Sequence, residues 1–424
     1  GDGGRHGKAN VWHGEKPVER TSVDMEEYYK KQAIIPDGQW DEFLRAARDQ
    51  LPTTFRVSPI GAFADEIKTT ITRRFQDLKV DQVDLDEGDE RLQPPKMLPF
   101  YPGGLAWGMS ISKKVLKKTP ALSDFHKFIV SQTEIGYLTR QEAVSMIPPL
   151  FLEVEPHHRV LDMCAAPGSK TSQMLEFIHQ TQSTLCDPVP KGMLVANDSD
   201  MDRCAMLVHQ MKRINSPALM IVNHDGQQLP LLWQRSEGDN RKEVRLAYDR
   251  ILADVPCTGD GTMRKNVDVW RKWSVNQAMG LHKLQLQILS RGVEMLAPGG
   301  IIVYSTCSMN PCENEAIVAA ALAKYKGTLE LVDVSKELPD LKRMPGLHSW
   351  FVRDRKDKDT WYASMDDVPE QFQKHSFAPS MWPPTKEEAE AMRLERCVRV
   401  LPHQQDTGAF FICKLRKTGG GRPR

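Results

Sequence analysis

An α/β fold with a doubly wound parallel sheet is predicted by three features of this 424-residue chain. Short apolar runs alternate with helix-spaced segments from residue 159 to residue 334. The runs are unbroken rather than alternating, as in strands covered on both faces. Acids stand at or just past the ends of four of them, Asp162, Asp198, Asp225 and Asp254, and the carboxyl ends of strands are where open α/β sheets bind their ligands.

The elements follow in order. Residues 1–25 are polar and Gly-rich and read as a flexible arm. Residues 25–32 read as a helix start and 40–44 as another amphipathic turn. Thr54-Phe55-Arg56-Val57 is a short β-type run, and 63–78 has helical spacing. Residues 81–91 carry six acids, one Gly and no apolar period, which predicts an exposed loop. Prolines and the Pro102-Gly103-Gly104 turn punctuate the next stretch. A helix from Ser112 carries Lys113, Lys114, Lys117 and Lys118, which suit phosphates or a solvated face equally well.

The pattern changes at Glu134. A helix is predicted over 141–152, ending in Pro148-Pro149. Strands are predicted over 159–163, 193–198, 218–222, 250–254, 301–305 and 329–334. Helices start at Ser169, Asp202 and Asn314, and a long one over 281–296 is stopped by Pro298-Gly299-Gly300. Residues 335–395 break the rhythm with prolines, charges and three tryptophans and read as an insertion. The turn Asp406-Thr407-Gly408 leads into a last strand, 410–413. The expected division is an arm (1–25), an N-terminal module (26–135), a main domain (136–417) and a tail (418–424).

Composition sets limits. Lys and Arg number 57 against 56 Asp and Glu, a formal charge of +1. This excludes a uniformly basic nucleic-acid coat but leaves room for a local patch. No run approaches the roughly 18 apolar residues of a membrane helix. The opening Gly1-Asp2-Gly3-Gly4-Arg5 has no apolar core behind it, so no secretory signal is expected, and the two ends read as those of a fragment. Eight cysteines are too dilute for a disulfide scaffold, so a reducing, intracellular home is expected.

Three segments carry chemistry. Asp162-Met163-Cys164-Ala165-Ala166-Pro167-Gly168-Ser169-Lys170-Thr171 joins a strand to a helix. It is neither a P-loop, which needs adjacent Gly-Lys, nor a dinucleotide fingerprint, since it has one Gly. Its small residues still let backbone amides approach a ligand at the helix start; a plain tight turn is the simpler reading. Asp198 suits two ribose hydroxyls, and Asp225 suits an exocyclic amine, so together they favour a nucleoside. The other two segments are Asp254-Val255-Pro256-Cys257-Thr258-Gly259-Asp260-Gly261-Thr262 and Tyr304-Ser305-Thr306-Cys307-Ser308. Each puts a Cys just beyond a strand. One such Cys is ordinarily buried filler; two beside a nucleoside site point to chemistry. No C-x-x-C pair exists, and Pro256-Cys257 lacks the second Cys of a zinc deaminase, so no metal is expected.

These three segments, with Gln141 to Pro149 and Arg399 to Phe411, resemble the RNA (cytosine-5) methyltransferase family, the fmu/sun group, and within it the eukaryotic tRNA enzymes. The resemblance covers about residues 26–417. It implies a Rossmann-like S-adenosylmethionine-dependent methyltransferase sheet and a smaller N-terminal α+β RNA-recognition-like domain. It implies RNA, above all tRNA, as partner, S-adenosyl-L-methionine as cofactor held by Cys164, Ala165, Ala166, Pro167, Gly168, Ser169, Lys170, Asp198, Asp225 and Asp254, and a nuclear or nucleolar home. Nothing suggests an obligate oligomer, and a monomer is expected.

The implied chemistry needs a thiolate. Carbon 5 of cytosine is a poor nucleophile until a thiolate adds at carbon 6. The resemblance assigns the attack to Cys307, and proton loss and RNA release to Cys257. The residues alone leave both thiols open. Asp254 would hold a proton or hydrogen bond at nitrogen 3, in a desolvated pocket. Lys170 would support Asp254 or a thiol. Arg264-Lys265 and Trp270-Arg271-Lys272-Trp273 offer charge and ring faces to a flipped base, or two tryptophans packed under the sheet. An RNA-binding protein that keeps the fold without catalysis is the alternative.

Overall fold

The computed structural model describes residues 19–60, 63–77, 93–110, 120–180, 190–236 and 239–419. The loop expected over 81–91, the lysine helix expected from Ser112 and residues 1–18 of the expected arm lie outside them.

The N-terminal region contains α1 (Val23–Lys31), α2 (Trp40–Arg48), β1 (Thr53–Val57), α3 (Ala64–Asp77), β2 (Gln93–Met97), β3 (Ala106–Ser110), α4 (Pro120–Glu134) and β4 (Leu138–Arg140). The four strands pair antiparallel in the order β2-β3-β1-β4. Phe55, Val57, Trp107, Phe125 and Ile129 form a core of their own. The packing divides this region differently from the expected arm and module. Helix α1 starts at Val23, inside the expected arm, and β4 lies beyond residue 135. Helices α1 and α2 leave the four-stranded sheet's core altogether: Met25, Tyr28, Tyr29 and Phe43 are buried against Met263, Trp270, Val352, Phe377 and Trp382. Residues 335–395 thus help dock the first two helices. Three of the four aromatics of α1 and α2, Tyr28, Tyr29 and Phe43, are fully buried, each worth about 1.5–3 kcal/mol.

The predicted helix over 141–152 is instead a 3₁₀ turn at Val144–Met146 followed by α5 (Ile147–Phe151). Pro148 and Pro149 begin this helix rather than end it, because a first-turn residue needs no N–H partner.

The alternating segment then builds the main sheet from β5 (Arg159–Asp162), α6 (Ser169–Ile178), β6 (Met193–Asn197), α7 (Met201–Met211), β7 (Leu219–Val222), β8 (Tyr248–Asp254), α8 (Val275–Met295), β9 (Leu296–Thr306) and α9 (Glu315–Lys324). The parallel strands run in the order β9-β8-β5-β6-β7. Side chains alternate between two covered faces. Leu161, Val195, Ile251 and Ile302 pack with Ile288, Leu289 and Val293 of α8. Val160, Leu194, Leu252 and Val303 pack with Met174 and Leu175 of α6 and Leu207 of α7. Two-sided burial explains why these strands read as unbroken apolar runs.

One half of the sheet departs from the parallel expectation. The strand predicted over 329–334 is only β10 (Leu329–Leu331) and runs antiparallel to the last strand. With β11 (Met344–Pro345), β12 (Val398–Val400) and β13 (Phe410–Lys417) it makes a mixed sheet of nine strands. Strand β13 is antiparallel to β9 because the turn around Asp406 reverses the chain. A hairpin of Trp233–Ser236 and Asp239–Arg245 was not foreseen. Among the described residues no helix is long and apolar enough to cross a membrane.

The small and main sheets are joined through Arg56. It is fully buried, donates to Gln141 Oε1 (2.7 Å) and Ser172 Oγ (3.0 Å), and pairs with the buried Glu176. Breaking one partner of such a pair costs about 3–5 kcal/mol, since the other charge is left stranded.

Candidate active site

The carboxyl ends of β5, β6, β8 and β9 bring the quoted segments together. The loop after β5 is held by short bonds: Ala165 N–H donates to Asn197 O (2.7 Å) and Ala166 N–H to Asp198 Oδ2 (3.1 Å). Gly168, at φ 111°, caps α6. A Cβ there would stand 2.8 Å from Leu207 Cδ1, so glycine answers both strain and space. With no capping side chain, the first turn of α6 keeps amides available to an anionic or polar ligand.

Asp162 faces inward and is buried. It accepts from Thr171 Oγ1 (2.8 Å), while its Oδ1 has no partner. Burial pushes its carboxyl up to about 7, against the opposing Thr171 bond.

The ten cofactor candidates divide. Cys164, Asp198 and Asp225 line one cleft with Arg203, Gly226, Pro256 and Ile288. Asp198 is 2% exposed and lies 3.6 Å from Arg203 Nη2. Pro167, Gly168 and Ser169 face a separate groove beside Arg140 and Arg213. Ala165 and Ala166 are buried and contribute backbone. Lys170 and Asp254 sit beside the thiols. The sequence reading missed Arg203 and Ile288. Ile288 comes from α8, and nothing in the local sequence ties it to this loop.

The two thiols are adjacent. Strands β8 and β9 pair in parallel with Asp254 opposite Ser305, and the loops beyond them place Cys257 Sγ 3.2 Å from Cys307 Sγ. Cys307, first among the causes, and then burial raise the Cys257 thiol well above its ordinary value. At this distance either sulfur can donate to the other, so the geometry leaves both thiols open, as the residues alone did.

Asp254 accepts from Lys170 Nζ (2.7 Å) on one oxygen and from Ser305 Oγ (2.7 Å) on the other. Burial works against the Lys170 charge, but Asp254 more than offsets it and keeps the ammonium protonated. The Asp254 side chain is 24% exposed, so the pocket around it is less closed than expected.

Of the two readings of the segment after Cys257, packing is the one the structure shows for its tryptophans. Trp270 is 1% exposed, and its Nε1 donates to Met263 O (3.1 Å). Trp273 donates to Asp260 (3.3 Å) and packs on Tyr28. Arg264 is buried and binds Thr407 O (2.9 Å) and Asp406 (2.7 Å). Both rings and this guanidinium serve packing. Lys265, Arg271 and Lys272 remain exposed.

Among the described residues one group has metal-ligand spacing, Glu155, His157 and His158. The His158 Nδ1 lone pair already accepts the Glu155 N–H (2.9 Å), so this imidazole acts as a turn cap.

The sequence profile described as 16S rRNA methyltransferase RsmB/F matches residues 149–416. The chain is 46% identical over 411 residues to the multisite-specific tRNA:(cytosine-C(5))-methyltransferase trm4b of Schizosaccharomyces pombe, covering 93% of this chain and 59% of that protein. It is 43% identical over 398 residues to the multisite-specific tRNA:(cytosine-C(5))-methyltransferase of Saccharomyces cerevisiae, covering 94% and 55%. The chain thus spans less than two thirds of these relatives. A tRNA (cytosine(49)-C(5))-methyltransferase of Pyrococcus abyssi is 30% identical over 283 residues, covering 67% of this chain and 71% of that protein. Among solved structures, NSun6 from Pyrococcus horikoshii with SFG superposes at a TM-score of 0.57 with 18% identity, over 95% of this chain and 100% of that one. That likeness supports the fold alone. The chain belongs to the 16S rRNA methyltransferase RsmB/F family.

Proposed function

We propose that this chain methylates carbon 5 of cytosine in RNA, with tRNA as the substrate class and S-adenosylmethionine as the methyl donor. One observation carries the reading: two free thiols 3.2 Å apart at adjacent strand ends, next to an Asp254–Lys170 pair. The names of the tRNA-methylating relatives supply the substrate class.

The cleft fits the donor. The Asp198 carboxylate at the end of β6 suits ribose hydroxyls, Asp225 suits the adenine amine, and Ile288 offers an apolar wall. When bound there, S-adenosylmethionine supplies an electrophilic methyl group.

The chain's residues do the rest. Cys307 adds to carbon 6 of the base, which makes carbon 5 nucleophilic. Addition raises electron density at nitrogen 3, and the Asp254–Lys170 pair meets it with a proton or hydrogen bond. As Cys307 adds to carbon 6 its thiol proton leaves and nitrogen 3 takes one up at the Asp254–Lys170 pair, so the adduct carries no net change in protons. Cys257, having lost its own proton to solvent, can then as a thiolate remove the carbon 5 proton; elimination breaks the sulfur–carbon 6 bond, frees Cys307 and returns the nitrogen 3 proton. The base must leave its stack to reach these atoms.

Incubation of the chain with unmodified tRNA transcript and S-adenosylmethionine, followed by nucleoside mass spectrometry, tests this. New 5-methylcytidine supports the reading. RNA that binds but gains no methyl group favours the non-catalytic alternative.

A further inference from the structure

The pairing of β8 with β9 ends before the cysteines do. Val255 N–H still bonds Ser305 O (3.1 Å), but Cys257 lies two residues further out on a loop. What fixes the loops beyond that point is a side chain that neither the sequence reading nor the family resemblance assigned.

That side chain is Glu313, six residues after Cys307 and 0% exposed. Its Oε1 accepts the Thr258 backbone N–H (2.9 Å) and Gln285 Nε2 (3.0 Å). Its Oε2 accepts the hydroxyls of Thr258 (2.6 Å) and Ser308 (2.5 Å). Thr258 directly follows Cys257, and Ser308 directly follows Cys307. Gln285, from α8, also donates to Pro256 O (2.9 Å), the residue before Cys257. One carboxylate therefore grips the chain immediately after each thiol, and its helper grips it before one of them. The same loops are also tied by Gly261 N–H to Cys307 O (2.9 Å), Met309 N–H to Asp260 Oδ1 (2.8 Å) and the Thr258 hydroxyl to Ser308 Oγ (3.3 Å).

We propose that Glu313 is a positioning residue that sets the distance between Cys257 and Cys307. This rests on the thiol chemistry proposed above for its consequence in turnover, though not for the geometry itself. Burying a carboxyl this deeply is unfavourable unless its lone pairs are used, and here four donors use them. The position is thus over-determined, as a site that must hold two sulfurs in register requires. A misplacement near 1 Å at reacting atoms costs about 100-fold in rate.

The variant to make is Glu313→Gln. Its shape is retained, but the amide nitrogen accepts nothing, so the hydroxyls of Thr258 and Ser308 lose their shared acceptor, and Ser308 Oγ already accepts the Asn310 N–H (3.0 Å). The grip on both hydroxyls by one anion is lost. Two readouts are needed. The first is independent of methylation: hydrogen peroxide is added and the Cys257–Cys307 disulfide is followed by peptide mass spectrometry. Each thiol gives up a proton, the two sulfurs give up two electrons in forming the S–S bond, and the peroxide is reduced to two waters. The second is steady-state methyl transfer to tRNA transcript.

The expected result is slower disulfide formation per folded molecule and kcat lower by about 100-fold, with KM for both substrates unchanged. A purely structural role would lower the melting temperature but leave the rate per folded molecule and kcat as they are, and that result overturns the proposal. If wild type fails to methylate while Glu313→Gln still slows disulfide formation, Glu313 keeps its role and the methyltransferase reading fails. If Glu313→Gln does not fold, the pair Thr258→Val with Ser308→Ala, which removes both hydroxyls and keeps the carboxylate, must show the same slowing; unchanged disulfide formation there also overturns the proposal.

Discussion

Along the carboxyl edge of the sheet, the cofactor half and the thiol half are held by different means. In the cofactor half the ties are short in sequence: Thr171 to Asp162 spans 9 residues and Ala166 to Asp198 spans 32. In the thiol half they are long. Tyr29 reaches Asp260 across 231 residues, and Tyr28 reaches Asn310 (3.0 Å) across 282. Asp260 also accepts the Met309 N–H (2.8 Å) and the Trp273 indole (3.3 Å). Helix α1 thus buttresses both cysteine loops from behind, although it lies outside the profile match at 149–416. The cofactor half is a local turn; the thiol half exists only once distant segments have docked.

The comparison breaks most visibly at Asp260. Asp260→Ala leaves the Tyr29 hydroxyl, the Met309 N–H and the Trp273 indole without their acceptor, at about 1–3 kcal/mol for each buried orphan. Urea unfolding is expected to show a loss of several kcal/mol, with methyl transfer falling alongside it. A loss under about 1 kcal/mol would mean that α1 does not brace the loops.

Next comes Asp162, in the cofactor half. Its folded carboxyl titrates near 7, above the ordinary value of 3.8. The native state therefore holds a proton that the unfolded chain has lost. The stability this contributes is fully present below about pH 4 and is lost as pH rises toward 7. At about 1.4 kcal/mol per pH unit the total is at most about 4 kcal/mol. Asp162→Asn cannot titrate, so its stability relative to wild type should climb between pH 5 and pH 8. A difference that stays flat with pH would contradict the assignment.

A smaller effect is expected at Asp198. Asp198→Ala should weaken S-adenosylmethionine binding by about 1.5–3 kcal/mol, the worth of hydrogen bonds to a charged group. Calorimetry with the cofactor alone checks this, and RNA binding should not change. The smallest effect belongs to the exposed Arg271 and Lys272, which both pair with Asp268. Replacing both with Ala should leave stability essentially unchanged, since exposed ion pairs are screened by solvent. If they touch phosphates, the salt dependence of tRNA binding should become shallower.

What was legible in the sequence follows the same division. Two-sided burial writes itself as unbroken apolar runs, so residues 159–162, 193–197 and 301–305 were readable as strands. Small residues and strand-end acids marked the loop after β5 because their partners are close in sequence. The Cys segments were readable because each follows its strand directly. Glu313 and Asp260 were not, since an isolated acid in a loop carries no period and its partners are chosen by tertiary packing. Arg264 and Trp270 could be read two ways for the same reason: charge and rings near a site look like ligand contacts until their own partners are known. The docking of α1 against residues 335–395 had no local signal at all.

The central claim is that Cys307 attacks while Cys257 holds and moves the proton. The most direct test incubates wild type, Cys307→Ala and Cys257→Ala with labelled S-adenosylmethionine and tRNA transcript, then looks for protein–RNA adducts on a denaturing gel. The account requires Cys307→Ala to form neither product nor adduct, and Cys257→Ala to accumulate a labelled adduct it cannot release. The reverse pattern, with adduct building up in Cys307→Ala and none in Cys257→Ala, would make Cys257 the nucleophile and contradict it.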